Sequence, residues 1–582
     1  MDVTLVGTGP AANAVAETLA DADLDVARGD LESVRDARLG VVVARSGSDR
    51  FGRANRLAAD AGIPWLAVEL DGLAGHDLGM AASVAGFAPE TGCYECLQAR
   101  VAANRATPAP QTDGGGVDAG DARVAGAIAG RAATRRLSGE GSALFGGVVE
   151  VPYAERSFLP VPDCGTCRFE RDSNLELEYR ERNLESALAA AERALDERVG
   201  LLSEVGEIES FPVPYYFARV ADTSGFSDAS AAGQAAGVAA DWNPEFMKAL
   251  GEALERYCAG VYRDRFRRAP ADALDGAVAP AAFAGVDDVD EAIPWVPARE
   301  LLGSDRQDDG RNGADVGPAV WLPAELVHFP PPERRLRGPI TTGLGLGNST
   351  VEAVLSGLYE VLERDATMLA WYSTFEPLGL SVDDGEYATL VRRARSVELA
   401  ATPLLVTQDV DVPVVAVAVH RDGEWPRFAV GSAADLNPTA AARSALAEAL
   451  QNWMELRSMG PETASAESGA IGKYAEFPRA AREFVDVDGR VPADSVGPDD
   501  VPEGRAELDA VVDRVRAVGL SAYAARLTTP DVESLGFEAA RAVVPGAQPL
   551  FTGDPVFGER ARSVPERLGF EPDPDRDFHP YP

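Results

Sequence analysis

Lysine is almost missing from this chain. Only Lys248 and Lys473 stand among its 54 basic residues, so the positive charge is carried by arginine. Histidine occurs four times and cysteine five, against 93 acidic residues and a formal net charge of −39. Such an acidic surface excludes general affinity for nucleic acid or anionic membranes. Acid in excess with few lysines reads as adaptation to high salt, and a GC-rich genome favours the same Ala, Arg, Asp and Gly usage. No apolar stretch approaches the length of a membrane span. The opening MDVTLVGTGPAANAV begins a strand and a glycine turn without the basic segment and apolar run of a secretory signal. The expectation is a soluble cytoplasmic protein with neither nucleic acid nor membrane as partner. The scarce histidines have no ligand-like neighbour at i+4, and His76, His328 and His420 are assigned to structure.

What is present divides the chain. A length of 582 residues exceeds one core and suggests roughly two to four domains. VTLVG, LDVARG, LGVVVA and WLAVEL read as strands alternating with the helical runs NAVAETLADA and FGRANRLAADAG, an α/β pattern. ATPAPQTDGGGVDAGD follows as a loop, and DARVAGAIAGRAATRRL as a further helical piece. The fold expected is α/β, with residues 1–170 as a Rossmann-like first domain and 171–582 as a larger α/β second domain. The second is expected to open with a helical run, NLELEYRERNLESALAAAERALDERVGLL. It would carry a solvated insertion, LLGSDRQDDGRNGADVGPAVW, a surface loop, FVDVDGRVPADSVGPDDVPEG, and the strands PLLVTQ and VPVVAVAVH.

The most informative motif is ExxER, which occurs twice. Glu252, Glu255 and Arg256 form one copy in KALGEALERYCAGVY. Glu360, Glu363 and Arg364 form the other in NSTVEAVLSGLYEVLERDATMLAWY, with Glu352 upstream. A third helical run, AARSALAEALQNWMEL, offers Glu448 and Gln451. At 100° per residue Lys248, Glu252, Glu255 and Arg256 share one face, opposite Leu250, Leu254 and Cys258. Ser349, Glu352, Ser356, Glu360 and Glu363 do the same opposite Val354, Leu358 and Leu362. One such helix is also what a solvated amphipathic helix looks like. Three of them, escorted by arginine, suit a magnesium–nucleotide site: hard oxygen ligands hold the metal and cations offset the phosphates.

Four of the five cysteines sit in two CxxC pairs, Cys93/Cys96 and Cys164/Cys167. Two such knuckles can close a tetrahedral thiolate site around zinc, a structural role with no open position. Cys258 reads as core. Gly7-Thr8-Gly9-Pro10-Ala11-Ala12 fits GxGxxA between a strand and a helix, with Asp30 as a later acid, and reads either as a nucleotide turn or as a scaffold without its ligand. The ending FHPYP is stiffened by Pro580 and Pro582; it reads either as a frayed end or as an extended segment carrying the terminal carboxylate into a cleft.

The segments ALGEALERY, GLGLGNSTVEAVLSGLYEVLERD and ALAEALQ, with the proline-containing C-terminus in the same order, resemble the YcaO family of ATP-dependent peptide-backbone-modifying enzymes. The resemblance implies that these segments surround ATP and magnesium. Glu252, Glu255, Glu352, Glu360 and Glu363 would serve as magnesium and phosphate-side carboxylates, Arg256 and Arg364 as their companions. Asn348, Glu448 and Gln451 would line the nucleotide site. Lys248 stands where the family often has serine, Trp453 where many members have arginine, and Phe578 where the first proline of a PxPxP ending is usual.

The first 170 residues resemble the ThiF-like adenylating fold with its four-cysteine zinc site. VVARSGSDR replaces the usual DATDN-type segment, which argues against adenylation, and degenerate domains of this kind bind the leader of a precursor peptide. Together these resemblances imply a fused cyclodehydratase that turns Cys, Ser or Thr of a precursor peptide into thiazoline or oxazoline, with ATP, Mg2+ and Zn2+ as cofactors. Pro582, through its carboxylate, is the candidate catalytic group. Thioamidation with a sulfur-donor partner and a non-catalytic docking scaffold are the alternatives. A flavin dehydrogenase partner and a homodimer are left open.

Overall fold

Early apolar runs supply the strands of a seven-stranded sheet. The computed structural model describes residues 2–105, 117–152, 154–238, 241–304, 317–466 and 469–582. Strands β1 (Val3–Val6), β2 (Val26–Arg28), β3 (Leu39–Arg45) and β4 (Trp65–Leu70) are parallel. Strands β5 (Ala82–Phe87), β6 (Gly147–Val151) and β7 (Ala154–Ser157) continue antiparallel, giving the order β2-β1-β3-β4-β5-β6-β7. Successive side chains face opposite ways. Val41, Val43, Leu66 and Val68 therefore meet α1 (Pro10–Ala20) and α4 (Ala119–Leu137), while Val42, Trp65 and Ala67 meet α2 (Asp49–Ala61) and α3 (Tyr94–Ala103). Burial on both faces explains the unbroken apolar runs. The Rossmann-like architecture expected from sequence is what forms. The loop expected from residue 106 lies mostly outside the described residues.

The core on the α2/α3 side continues past this sheet into the following α/β region, as one cluster that reaches Leu254, Tyr257 and Phe537. Arg100 of α3 bolts the two parts together without any exposure. Its Nη2 donates to Asp531 Oδ2 at 2.5 Å and to Pro160 O at 2.7 Å; Nη1 donates to Tyr257 Oη at 3.1 Å. The Tyr257 hydroxyl in turn donates to Asp531 Oδ2 at 2.6 Å.

The helical run expected from residue 172 does not form at its start. Residues 172–183 form neither helix nor strand, and helix α5 covers only Leu184–Ala191. The reason is tertiary: this strap crosses the start of the later helix α7 (Thr350–Trp371), where Thr350 Oγ1 donates to Glu176 O at 2.5 Å and Val351 N to Glu178 O at 3.2 Å. Those long-range bonds outweigh the helix propensity of a Glu/Arg/Leu run.

Beyond it, β8 (Leu202–Glu209), β9 (Tyr215–Val220) and β10 (Gln234–Val238) form a small antiparallel sheet carrying α6 (Trp242–Gly260). A second sheet orders β11 (Arg267–Ala269), β12 (Ile293–Leu301), β20 (Ala522–Arg526), β21 (Glu538–Val543) and β14 (Leu344–Gly347), with β13 (Ala319–Pro323) on β12. A third orders β18 (Phe428–Ala434), β17 (Val414–His420), β16 (Ala400–Leu405), β15 (Leu378–Ser381) and β19 (Arg490–Pro492). Strand β19 interrupts the surface loop expected over 484–504 by pairing with β15. The insertion expected around 301–321 lies largely outside the described residues; its flanks are β12 and β13.

Helix α7 is wedged between the second and third sheets and touches strands of both. Burial on nearly every side explains its apolar content. Helix α9 (Pro438–Ala464) covers β17 and β18, and α8 (Gly385–Ser396) packs beside it. No helix among the described residues is long and apolar enough to cross a membrane.

Candidate active site and metal centre

Three helices bring their acidic faces together because each lies on a strand that carries glycine at the crossing. A Cβ on Gly237 of β10 would lie 2.6 Å from Ala249 N of α6. One on Gly345 of β14 would lie 2.1 Å from Ala353 O of α7, and one on Gly431 of β18 would lie 2.4 Å from Ala449 N of α9. Any side chain at these points would push the helix off its sheet. The caps are local: Ser349 Oγ accepts from Glu352 N at 3.3 Å, and Asn437 with Pro438 starts α9.

The three faces enclose a cavity of about 740 Å³. Its lining includes Glu252, Glu255 and Arg256 from α6, and Glu352, Glu360, Glu363 and Arg364 from α7. Asn348 and, from α9, Glu448 and Gln451 complete the set, so all ten nucleotide-site residues expected from sequence face one space. Lys248 lines it too. Arg256 Nη2 donates to Glu252 Oε1 at 3.1 Å. Arg364 lies 3.3 Å from Glu363 Oε1 and 3.9 Å from Glu448 Oε1. Asn348 donates through its backbone N (2.8 Å) and Nδ2 (3.0 Å) to Glu352 Oε2, and Glu360 Oε2 accepts from Gly343 N at 3.0 Å.

Ser432 was invisible to the sequence reading, yet it ties two of the helices together. Its Oγ donates to Glu363 Oε1 at 2.6 Å and its backbone N to Glu448 Oε2 at 2.7 Å. The one available signal was a glycine inside a strand, in FAVGSAA, which marks close backbone approach.

This arrangement resists full ionisation. Burial pushes the carboxyls of Glu255 and Glu363 up to about 8, Arg256 and Arg364 partly oppose the shift, and Glu360 adds to it. Glu448 and Glu252 are also raised, again first by burial. Burial works against the Arg364 charge, but Glu363 and Glu448 more than offset it. Carboxyls that line one cavity and raise one another's pKa are oxygen donors of the kind a hard divalent cation takes, so the chemistry of these residues fits magnesium.

The thiol groups of Cys93, Cys96, Cys164 and Cys167 form a second cluster, with all four Sγ atoms within 4.8 Å of one another. Sγ separations are 3.8 Å for Cys93–Cys96, 3.6 Å for Cys93–Cys164 and 3.4 Å for Cys96–Cys167. Four sulfurs about 2.3 Å from one tetrahedral ion would stand roughly 3.8 Å apart, whereas a disulfide needs about 2 Å. Val161 N donates to Cys96 Sγ at 3.2 Å, an orienting bond of the kind bound thiolates receive. The donor set fits a metal.

Other sequence candidates fall elsewhere. Pro582 is exposed and is not among the residues lining the large cavity, whereas His579 and Tyr581 just before it are buried. His579 is anchored through Nε2 to Phe551 O at 2.7 Å. The end is therefore packed up to its last residue. At the N-terminal turn Gly7 has φ 126, and a Cβ there would lie 2.4 Å from Val43 O. Arg28 reaches Asn13 Oδ1 at 2.7 Å. Asp30 accepts from Ser33 Oγ at 2.7 Å, a local capping role. Ser48 of the VVARSGSDR segment caps α2. Cys258 is core, as expected. Among the histidines, His328 is buried and its Nδ1 lies 3.0 Å from Ala259 O, while His420 Nε2 lies 2.9 Å from Thr402 Oγ1. Trp453 is buried between Arg421 and Arg457.

The fold and the main cavity define a class: an α/β protein whose main cavity is lined by carboxylates and arginines from three helices, side chains whose chemistry suits a metal–nucleotide ligand. A family model described as YcaO cyclodehydratase, ATP- and Mg2+-binding, matches residues 247–548, just over half of the chain and all three cage helices. The chain belongs to the YcaO cyclodehydratase family. An uncharacterized protein of Methanothermobacter thermautotrophicus is 27% identical over 336 residues, covering 54% of this chain and 82% of that protein. A heterocyclase solved in complex with substrate and cofactor has a TM-score of 0.74 at 20% identity, covering 100% of this chain and 85% of that one. The heterocyclase TruD has a TM-score of 0.66 at 19% identity, with coverages of 98% and 82%. At these identities the two structures share the fold, and they share it over essentially the whole length.

Proposed function

We propose that this protein is an ATP-dependent cyclodehydratase that converts Cys, Ser or Thr residues of a precursor peptide into azolines. The observation that carries the reading is the single cavity faced by Glu252, Glu255, Glu360, Glu363 and Glu448 with Arg256 and Arg364, in a chain of this family. The side-chain thiol or hydroxyl of the substrate attacks the preceding amide carbon and gives up its own proton to water. The amide oxygen takes the γ-phosphoryl group of ATP, releasing ADP. The C–O bond then breaks, its electron pair leaves with phosphate, and loss of the N–H proton closes the C=N bond.

The chain's part is positioning and charge. Glu252, Glu255, Glu352, Glu360 and Glu363 would hold magnesium, which when bound neutralises phosphate charge. Arg256 and Arg364 orient the carboxylates and add positive charge where the phosphoryl group passes. Ser432 fixes the Glu363 and Glu448 rotamers. The cysteine cluster would hold zinc, chosen for its preference for four thiolates.

The division near residue 170 separates a peptide-holding domain from the catalytic one, and the buried Arg100–Tyr257–Asp531 group keeps them in register. Presence of the first domain favours ring formation over thioamidation. Incubation with ATP, magnesium and a Cys/Ser/Thr-rich peptide tests the reading by mass spectrometry. Loss of one water per ring, matched by ADP formation, is the expected result; an oxygen-for-sulfur exchange or unchanged peptide mass contradicts it.

A further inference from the structure

In a chain with 93 acidic and 54 basic residues, an arginine whose buried Nε is unpartnered and which no carboxylate contacts calls for a cause. Arg337, half-buried, is such a residue: among the described residues it has no hydrogen-bond or ion-pair partner, its Nε is buried, and burial draws its guanidinium down to about 10. Arg541 of β21 is a second, only 2% exposed. Its Nη1 and Nη2 donate to the carbonyls of Thr341 (2.8 Å) and Ile340 (3.0 Å), while its buried Nε has no partner.

Both arginines line one cavity of about 40 Å³ beside α7, together with Thr342 and the apolar Ile340, Val361 and Pro549. No lining residue is acidic. Arg364 lines this cavity and the nucleotide cavity alike. A single water needs roughly 10–15 Å³ of such space, so the volume suits one small anion or a few waters. Arg337 and Arg541 repel one another across a cavity that no acid lines, with Glu360 and Glu255 acting on Arg541 only from outside it; an oxyanion that accepts from both arginines relieves that repulsion.

We propose that Arg337, Arg541 and the Thr342 hydroxyl form a binding site for inorganic phosphate, which the reaction reaches past Arg364. The choice of phosphate over other small anions rests on the ATP chemistry proposed above, which releases phosphate from the amide carbon, and on Arg364 lining both cavities. The site is a station for the leaving group, separate from the place where the γ-phosphoryl group of ATP is held. Occupying it draws phosphate away from the azoline and opposes the reverse attack.

Equilibrium binding of inorganic phosphate to the full-length protein tests this without turnover, so failure of the peptide chemistry would leave the result readable. Calorimetry and thermal shift would be run in phosphate and, at matched ionic strength, in chloride. Wild type should bind phosphate and melt higher in it, also when a non-hydrolysable ATP analogue with magnesium fills the main cavity. Arg337→Gln should weaken phosphate binding about tenfold or more, the size of one charge-assisted hydrogen bond. Without phosphate it should melt no lower than wild type, because it removes an unpaired charge. Thr342→Val gives a second, milder loss if Arg337→Gln fails to fold. No phosphate binding by wild type, equal binding by the variants, equal stabilisation by chloride, or displacement of phosphate by the ATP analogue would each overturn the proposal. None of these results would touch the assignment of ATP to the carboxylate cage.

Discussion

Replacing Asp531 by alanine should loosen the junction between the N-terminal sheet and the carboxylate-bearing helices. Asp531 has no exposure, and its Oδ2 accepts from Arg100 Nη2 at 2.5 Å and from the Tyr257 hydroxyl at 2.6 Å. Its removal strands a guanidinium and a phenol that are themselves fully buried. Breaking a buried pair from one side costs about 3–5 kcal/mol, roughly two to three and a half powers of ten in a local opening equilibrium. Tyr257→Phe removes only a neutral partner and should cost about 1 kcal/mol. Cys258 is a built-in reporter, because its thiol is buried beside Thr529 Oγ1 at 3.5 Å, next in sequence to Tyr257. Its alkylation rate, located by peptide mapping, should rise on the order of a hundredfold or more in Asp531→Ala and only several-fold in Tyr257→Phe. A rise below about fivefold in Asp531→Ala would mean that the group does not hold the junction, and the 3–5 kcal/mol reasoning would fail.

Three further outcomes are expected. Because the folded-state carboxyls of Glu255 and Glu363 titrate at about 8, far above the usual 4.5, the metal-free fold binds more protons than the unfolded chain between those values. Its stability should therefore fall as pH rises through that window. Magnesium–ATP should bind more tightly over the same rise and release protons, read as a dependence of calorimetric heat on buffer ionisation; flat affinity and no proton release would contradict this. Removing the metal from the cysteine cluster with a chelator, or Cys164→Ala, should lower the melting temperature and release one zinc per chain, measured by a metal-sensitive dye. Deleting Tyr581 and Pro582 should keep the fold and lower turnover, since Tyr581 is buried within electrostatic reach of Glu363 and Arg364. Unchanged turnover would assign the tail to packing alone.

Much of the site was legible because its period is local. The i, i+3 and i+4 spacing of Glu252, Glu255 and Arg256, and of Glu360, Glu363 and Arg364, fixes one helix face, and CxxC fixes one knuckle. The remainder depends on partners far apart in the chain. Arg100 and Asp531 are separated by 431 residues, and neither stands in a motif. Ser432 acts through where β18 lies, not through its neighbours in sequence. The strap at 172–183 reads as helix by composition, yet its bonds to the start of α7 keep it out of a helix. Arg337 reads as one more arginine until the cavity around it turns out to hold no acid.

The central claim is that the three-helix carboxylate cage binds ATP with magnesium. Calorimetry in high salt on the full-length protein and on Glu360→Gln/Glu363→Gln tests it most directly, with circular dichroism to verify the variant's fold. Binding by wild type that the folded variant loses is the predicted result. Equal binding by both would move the nucleotide to another site, such as the N-terminal glycine turn, and contradict the account.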